Sequence, residues 1–192
     1  MSFRFRFVVM DSLSCVLGCA LIKQIQRRII KESKLISNSG INLSGNVFIS
    51  YSTPDQKWLD QLLLHLHPLI REERVQVFSN KDIRVGADWR RTIQEALEKA
   101  SVAVLLISAD FLASDFIAKH ELPPLLEAAE RKRTIIIPVF VRPSLYQIIR
   151  PIADTQAANS PNKPLSAMRS SEQEEVWVRL ATEINEIARG GN

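Results

Sequence analysis

Four short β-rich runs, separated by longer stretches of helical periodicity, constrain the fold of this chain more than any other feature. The runs begin at Val47, Val75, Val102 and Thr134. The run at 102–107 is apolar at every position, which is typical of a parallel strand covered by helices on both faces of its sheet. Strands that alternate with helices form α/β folds. We therefore expect an open, mostly parallel sheet with helices on both faces and five strands, the fifth a short one near residues 155–157.

The first two intervals between the runs predict helices that each have one apolar face. The first helix is expected from Pro54 to residues 71–73, and the second from Asp88, as its N-cap, to Lys99. The strands that flank them are predicted with these bounds: 47–51, 75–78, 102–107 and 135–141.

Two further helical stretches complete the predicted fold. Residues 110–129 contain Pro123 and Pro124, which are expected to break that stretch into two pieces. The last helix is expected over 171–188, because its first four residues, Ser-Glu-Gln-Glu, form a capping box. Its apolar face is predicted to consist of Val176, Trp177, Leu180, Ile184 and Ile187.

The net charge of +4 belongs to the first part of the chain and not to the predicted α/β body. Residues 1–45 carry seven Lys or Arg and two acidic residues, and the remaining 147 residues carry 18 basic and 19 acidic ones. A near-neutral body has no electrostatic footprint for a phosphate backbone, which excludes a nucleic-acid-binding core. We therefore divide the chain into a basic and apolar extension, 1–45, and one domain, 46–192.

Residues 7–22 form an apolar run, interrupted by Asp11, ahead of a basic stretch. The run is shorter than the ~20 apolar residues of a bilayer span, and an ionised carboxylate costs ~2.5–3.5 kcal/mol in a membrane helix. Near-helical spacing favours one amphipathic helix that packs on the body or on another copy. Export or membrane association through 7–22 is one alternative, and an upstream extension without function is another. Cys15 and Cys19 build no disulfide framework for the domain, which favours a reducing, cytoplasmic compartment.

The loops after the predicted strands are where a ligand is expected, because parallel α/β sheets bind ligands at the carboxyl ends of their strands. These loops are 50–55, 79–88, 108–121 and 141–146. They contain no Gly-x-Gly-x-x-Gly and no P-loop pattern, and Gly86 is the only glycine within 46–189, so ordinary Rossmann and P-loop phosphate binding are excluded. The histidines lack the spacing of a metal site, so we expect no metal and interpret all three as helix residues: His65, His67 and His120.

Three strings of residues in these loops carry a family resemblance. Residues 47–52, Val-Phe-Ile-Ser-Tyr-Ser, with Asp55 are similar to the first signature box of Toll/interleukin receptor (TIR) domains. Residues 79–89 resemble the BB loop of that family and the start of the following helix. Residues 108–117, which lead to 121–123, are similar to the bacterial branch. The resemblance covers roughly 46–188 and implies a flavodoxin-like fold.

Many bacterial and plant TIR domains, and one animal member, cleave the bond between nicotinamide and ribose in NAD, and the resemblance implies this activity here. The essential glutamate of the family maps onto Glu121. Departure of nicotinamide leaves an oxocarbenium-like ribose, which a nearby carboxylate stabilises, and a leaving group that is already cationic needs no general acid. NAD is thus the expected substrate, no cofactor is expected, and the product is ADP-ribose or a cyclic isomer. Many members have tryptophan four residues before the glutamate, where this chain has Ile117.

The resemblance also implies a set of residues around the substrate. They are Ser50, Tyr51, Ser52, Asp82, Ile83, Arg84, Trp89, Phe116 and Ile117. Arg84 is a candidate partner for the NAD phosphates, because guanidinium binds them bidentately. Phe116 and Ile117 are candidates for the wall of the nicotinamide pocket. The alternatives are a helix cap for Ser52, an Asx turn for Asp82, core packing for Trp89 and core packing for Phe116 or Ile117. For Arg84 the alternative is a solvated loop arginine, and for Glu121 an exposed helix glutamate before the Pro-Pro break.

A second functional class is non-enzymatic, because the family also includes adaptors that assemble head to tail through their BB loops and helix faces. The BB-loop residues expected in such contacts are Lys81, Asp82, Ile83, Arg84, Val85 and Gly86. Enzymatic members often build the active site between neighbours. We therefore expect a homo-oligomer on activation, driven by a separate sensor protein, a signal nucleotide or the 1–45 extension, in bacterial defence or stress signalling. A third alternative is a TIR-fold protein that binds a nucleotide without cutting it.

Overall fold

The structure, a computed structural model, describes residues 45–79, 89–131 and 133–190, without the side chains of Trp89 and Arg90. Several predictions therefore lie outside the described residues. They are the helical extension before residue 45, the BB loop from Lys81 to Gly86, and the N-cap at Asp88.

All strands of the sheet are parallel, and the order in which the chain adds them reverses at the centre of the sheet. Its strands are β1 (Asn46–Ser50), β2 (Gln76–Ser79), β3 (Val102–Ile107) and β4 (Ile135–Phe140). Their order is β2-β1-β3-β4, and every neighbouring pair is parallel. The chain moves outward from β1 to β2 and returns past β1 to β3, so β1 and β3 flank the point where the winding reverses. The flavodoxin-like α/β fold is confirmed, and its ligand crevice is expected at the carboxyl ends of these two strands.

The predicted fifth strand near 155–157 is not a strand, and the described residues contain four. This stretch lies beside β4 but makes one ladder-like bond there, from Ala158 N–H to the Pro138 carbonyl, 2.9 Å. The side-chain amide of Asn159 then accepts from Phe140 N–H at 2.9 Å and donates to the Phe140 carbonyl at 3.0 Å. An amide side chain thus satisfies the edge of β4 where a fifth strand was expected, and Pro138 is tolerated because it lies on that edge.

The helices lie on both faces of the sheet. They are α1 (Gln56–Arg71), α2 (Trp89–Lys99), α3 (Ala109–Ala113), α4 (Leu122–Glu130), α5 (Arg150–Ala153) and α6 (Ser170–Gly190). Short 3-10 turns occur at Thr53–Asp55, Tyr146–Ile148 and Leu165–Ala167. The predicted capping box at 171–174 is displaced, because Glu172 accepts from the backbone N–H of Arg169 at 3.0 Å.

The helical stretch after β3 is interrupted earlier than the prolines predicted. α3 ends at Ala113, and a π-helical turn, Ile117–Glu121, precedes α4. Pro123 and Pro124 lie in the first turn of α4, where their missing N–H groups cost little. Because neither proline donates to the turn before it, that turn can widen, and Leu122 N–H bonds the Ile117 carbonyl instead. The widened turn ends on Glu121.

Each face of the sheet buries its own apolar cluster. One cluster joins the sheet to α1 and α6, and the other joins it to α2, α3 and α4. Side chains alternate along β1, so Val47 and Ile49 face α1 and α6 while Phe48 faces the opposite side. The predicted apolar face of α6 is confirmed as buried.

Candidate functional site

The first site feature is a contact between the end of β1 and the π-helical turn. Ser50 has the same strand parity as Phe48, so its side chain points toward the α2 and α4 side. There its hydroxyl donates a hydrogen bond to Oε2 of Glu121, a residue 71 positions further along the chain. Both residues are fully buried, at 0% exposure. The fold therefore brings the predicted essential glutamate to the carboxyl end of β1.

The electrostatics of Glu121 are dominated by its burial. Loss of solvent raises the pKa of Glu121 to about 7, and the hydrogen bond from Ser50 opposes this rise. Oε1 of the same carboxyl has no hydrogen-bond partner among the described residues. A carboxyl with one partnered and one unpartnered oxygen, and a pKa near neutrality, is the kind of group found at functional sites.

The side chains just before Glu121 belong to the adjacent apolar cluster. Ile117 is 2% exposed, and Phe116 is partly buried and packs against the same cluster. The Phe116 ring centroid lies 5.6 Å from that of His120. The structure thus places both predicted wall residues on the segment that carries Glu121.

A second polar cluster lies at the carboxyl ends of the strands, in the segments that follow β1, β3 and β4. Asp55 is fully buried and accepts hydrogen bonds from Ser52 Oγ and Ser108 Oγ, both at 2.5 Å. The guanidinium of Arg142 donates to Asp55 Oδ1 through Nε at 2.8 Å and pairs with Asp110 through Nη2. These residues follow β1, β3 and β4, so the cluster ties the three strand ends together.

The charge state of Asp55 is set by these donors. Burial alone would raise its pKa, but the hydrogen bonds from Arg142, Ser108 and Ser52, with the charge of Arg142, hold it below the ordinary value. The same pairing raises the pKa of Arg142. Asp55 is therefore ionised at neutral pH despite being buried.

Arg142 and Ser108 both lie in predicted ligand loops, but their sequence context indicates no role for either. The available signal was position, because each follows a predicted strand directly. Ser108 also N-caps α3, accepting from Phe111 N–H at 3.0 Å. No local pattern identifies Arg142 as the partner of Asp55, since they are 87 residues apart.

Tyr51 and Ser52 lie away from Glu121. Tyr51 is 5% exposed, packs in the cluster beneath α1 and α6, and donates from its hydroxyl to Gln56 Oε1 at 2.7 Å. Ser52 makes no helix-cap hydrogen bond through its side chain and instead donates to Asp55. Of the predicted substrate set, Ser50 contacts Glu121, and Phe116 and Ile117 lie just before Glu121 on the same helical segment.

The remaining predicted residues of the site are not described. Asp82, Ile83 and Arg84 lie in the 80–88 gap, as do Lys81, Val85 and Gly86, and the side chain of Trp89 is outside the description. The three histidines lie on helical turns, as predicted: His65 and His67 on α1 and His120 before α4. Within 45–79, 89–131 and 133–190, no group of three His, Cys, Asp or Glu has a metal-binding arrangement.

A groove of about 740 Å³ runs between α2 and α4, lined in part by Ile93, His120 and Arg131, and Glu121 does not line it. None of the helices in the described part of the chain has both the length and the apolar character to cross a bilayer.

A parallel α/β sheet with the strand order β2-β1-β3-β4 and helices on both faces defines a flavodoxin-like protein. Residues 47–173 match the family model of the TIR domain, and the chain belongs to this family. It is similar to the uncharacterized protein y4lF of Sinorhizobium fredii (strain NBRC 101917 / NGR234), with 28% identity over 143 residues. That alignment covers 74% of this chain and 43% of the relative, so the chain spans less than half of the length of the protein it matches.

Proposed function

We propose that this protein is an NAD glycohydrolase that cleaves the bond between nicotinamide and ribose. The observation that carries the proposal is the Glu121 carboxyl, which is buried at the carboxyl end of β1 with one oxygen held by Ser50 and the other unpartnered among the described residues. A single carboxylate in an apolar site is what the reaction requires, because a desolvated negative charge stabilises a developing ribose cation strongly.

The chemistry needs few groups. The C1′–N bond of NAD breaks and its electron pair leaves with nicotinamide, which departs as a neutral molecule. The ribose carbon then carries positive charge that the Glu121 carboxylate stabilises. Attack by water on C1′, with loss of a proton to solvent, completes ADP-ribose; attack by the adenine ring gives a cyclic isomer. Glu121 must be ionised for this role.

Burial of Glu121 supports a regulated enzyme. At 0% exposure the carboxyl is out of reach of a dissolved substrate, so NAD reaches it only when the surrounding residues move. We propose that self-association of TIR domains drives this opening, in bacterial defence or stress signalling. The protein is proposed to act in the cytoplasm, to take NAD as substrate and to require no cofactor.

The test is nicotinamide release from NAD by concentrated or crowded protein, followed by chromatography. Wild type is expected to release nicotinamide and Glu121→Gln to release none. Glu130→Gln is the matched control, because Glu130 is an exposed acid on the same helical segment, and it is expected to retain activity.

The outcomes separate the enzyme from the non-catalytic alternatives. Release by wild type and by Glu121→Gln alike would remove Glu121 from the mechanism. No release by wild type that is shown to be folded and self-associated would favour a TIR scaffold that signals by assembly. Protection of the protein by an adenine nucleotide without product would favour a nucleotide-binding role.

A further inference from the structure

Ser50 is the sole hydrogen-bond donor to the Glu121 carboxyl among the residues that the structure describes. No ion pair to Glu121 occurs within the same residues. The nearest cationic side chain in sequence, Lys119, pairs with Asp115 at 2.9 Å and lines the separate groove between α2 and α4. Within the described part of the chain, one hydroxyl is therefore the only hydrogen-bonding group that holds this carboxyl.

The hydroxyl is held on a rigid element. Ser50 is the last residue of β1, and its backbone is paired with Leu105 of the central strand β3. The strand pleat aims its side chain at the π-helical turn, where the widened helix ends on Glu121. A group on a central strand orients a partner more firmly than one on a loop, since its own position is fixed by sheet hydrogen bonds.

We propose that Ser50 is a positioning residue: its hydroxyl anchors Oε2 of Glu121, so that Oε1 is the oxygen presented to the substrate ribose. This inference rests on the proposed function and assigns Ser50 no direct contact with NAD. It replaces the substrate-binding role expected for Ser50 with a role that acts through Glu121. The terminal torsion of a glutamate is broad, so loss of the anchor would leave the carboxyl with no defined orientation.

The loss of the hydroxyl has two expected effects. Removing one hydrogen bond to a charged acceptor corresponds to a fall of about 10- to 100-fold in kcat. KM is expected to change little, because the substrate itself loses no partner. The donor also favours the ionised carboxylate, so its removal raises the pKa of Glu121 and shifts the acidic limb of the rate profile to higher pH.

The experiment compares wild type with four variants for kcat, KM and their pH dependence. Ser50→Ala removes the donor, Ser50→Cys keeps the size with a weak donor, and Ser50→Thr keeps the hydroxyl. Ser101→Ala is the matched control. Ser101 is a buried serine just before β3, at the amino ends of the strands, and its hydroxyl donates to the Asn46 carbonyl at 3.0 Å. Titration of ¹³C-labelled glutamate carboxyls by NMR is a second readout that needs no activity.

The inference predicts an order of kcat in which Ser50→Thr exceeds Ser50→Cys, which exceeds Ser50→Ala, with Ser101→Ala like wild type. Wild-type kcat and an unshifted pH profile in folded Ser50→Ala would overturn it and leave the proposed function intact. If Ser50→Ala does not fold, the pH–rate profile of Ser50→Cys and the NMR titration of Glu121 in that variant test the inference instead. Absence of NAD cleavage by assembled wild type would overturn the proposed function and the catalytic part of the inference. An unchanged pKa of Glu121 in the Ser50 variants would refute the coupling between Ser50 and Glu121.

Discussion

Arg142 and Asp55 form a partly buried ion pair, Nε to Oδ1 at 2.8 Å, that joins the chain after β4 to the turn before α1. Asp55 is 0% exposed in this pair, and Arg142 is 33% exposed. A second oxygen of Asp55 accepts from two serine hydroxyls, so all of its polar atoms are satisfied. The carboxyl ends of three strands are thereby fastened beside the proposed site.

Replacement of Arg142 is expected to destabilise the protein strongly. Arg142→Met leaves the Asp55 carboxylate buried without its counterion, which costs about 3–5 kcal/mol in the free energy of unfolding. Urea denaturation at pH 7 measures the loss. Arg131→Met is the matched control, because it breaks an exposed arginine–glutamate pair that contributes less than about 1 kcal/mol.

The difference between Arg142→Met and wild type is expected to shrink in acid. The pKa of Asp55 is lowered in the folded protein, so its stabilising contribution is present above the ordinary value of 3.8 and is lost as the pH falls through the folded pKa. Equal losses of stability for the Arg142 and Arg131 variants at pH 7 would contradict a structural role for the pair of Arg142 and Asp55.

The edge of β4 provides a second test of stability. Asn159→Ala removes the side-chain amide that bonds both backbone groups of buried Phe140, at a cost of about 1–3 kcal/mol. Faster hydrogen exchange at the Phe140 amide, with a lower thermal midpoint, is the expected result. Asn162→Ala, at an exposed position in the same loop, is expected to leave both measurements unchanged.

The burial of Glu121 is expected to reduce stability at neutral and alkaline pH. Its pKa is raised from 4.5 to about 7, so the folded state holds the proton more tightly, and stability falls as the pH rises through this range. The fall corresponds to about 3 kcal/mol. Glu121→Gln carries no charge and should therefore be more stable than wild type at pH 8, but not at pH 4.5.

Urea denaturation at several pH values measures this difference, with Glu130→Gln as the control. A gain in stability from Glu121→Gln that is the same at pH 4.5 and pH 8 would show that packing, and not the buried charge, is responsible.

The same titration predicts the pH dependence of catalysis. Because ionised Glu121 stabilises the ribose cation, kcat/KM for NAD is expected to rise tenfold per pH unit below about 7 and to level off above it. Initial rates of nicotinamide release between pH 5.5 and 8.5 measure this profile. A rate that does not vary across that range would argue against a carboxylate with a pKa near neutrality.

The local pattern of the chain was sufficient for most of the architecture. The four strands were predicted from apolar runs of strand length, and the apolar face of α6 from apolar positions at helical spacing. Both patterns arise because each element buries the side chains that its own repeat places toward the core. Glu121 was selected through resemblance to TIR domains, since an isolated glutamate on a helix carries no signal of its own.

The features that sequence periodicity did not predict depend on contacts between residues far apart in the chain. Ser50 and Glu121 meet across 71 residues and Asp55 and Arg142 across 87, and no local pattern encodes such pairs. The wrong prediction of a fifth strand near 155–157 also has a long-range cause. The amide of Asn159 bonds the backbone of Phe140 at the outer edge of β4, and this contact forms only when the sheet has assembled. Periodicity reports which residues are buried, whereas the partners of buried polar atoms are chosen by the packing of strands and helices distant in sequence.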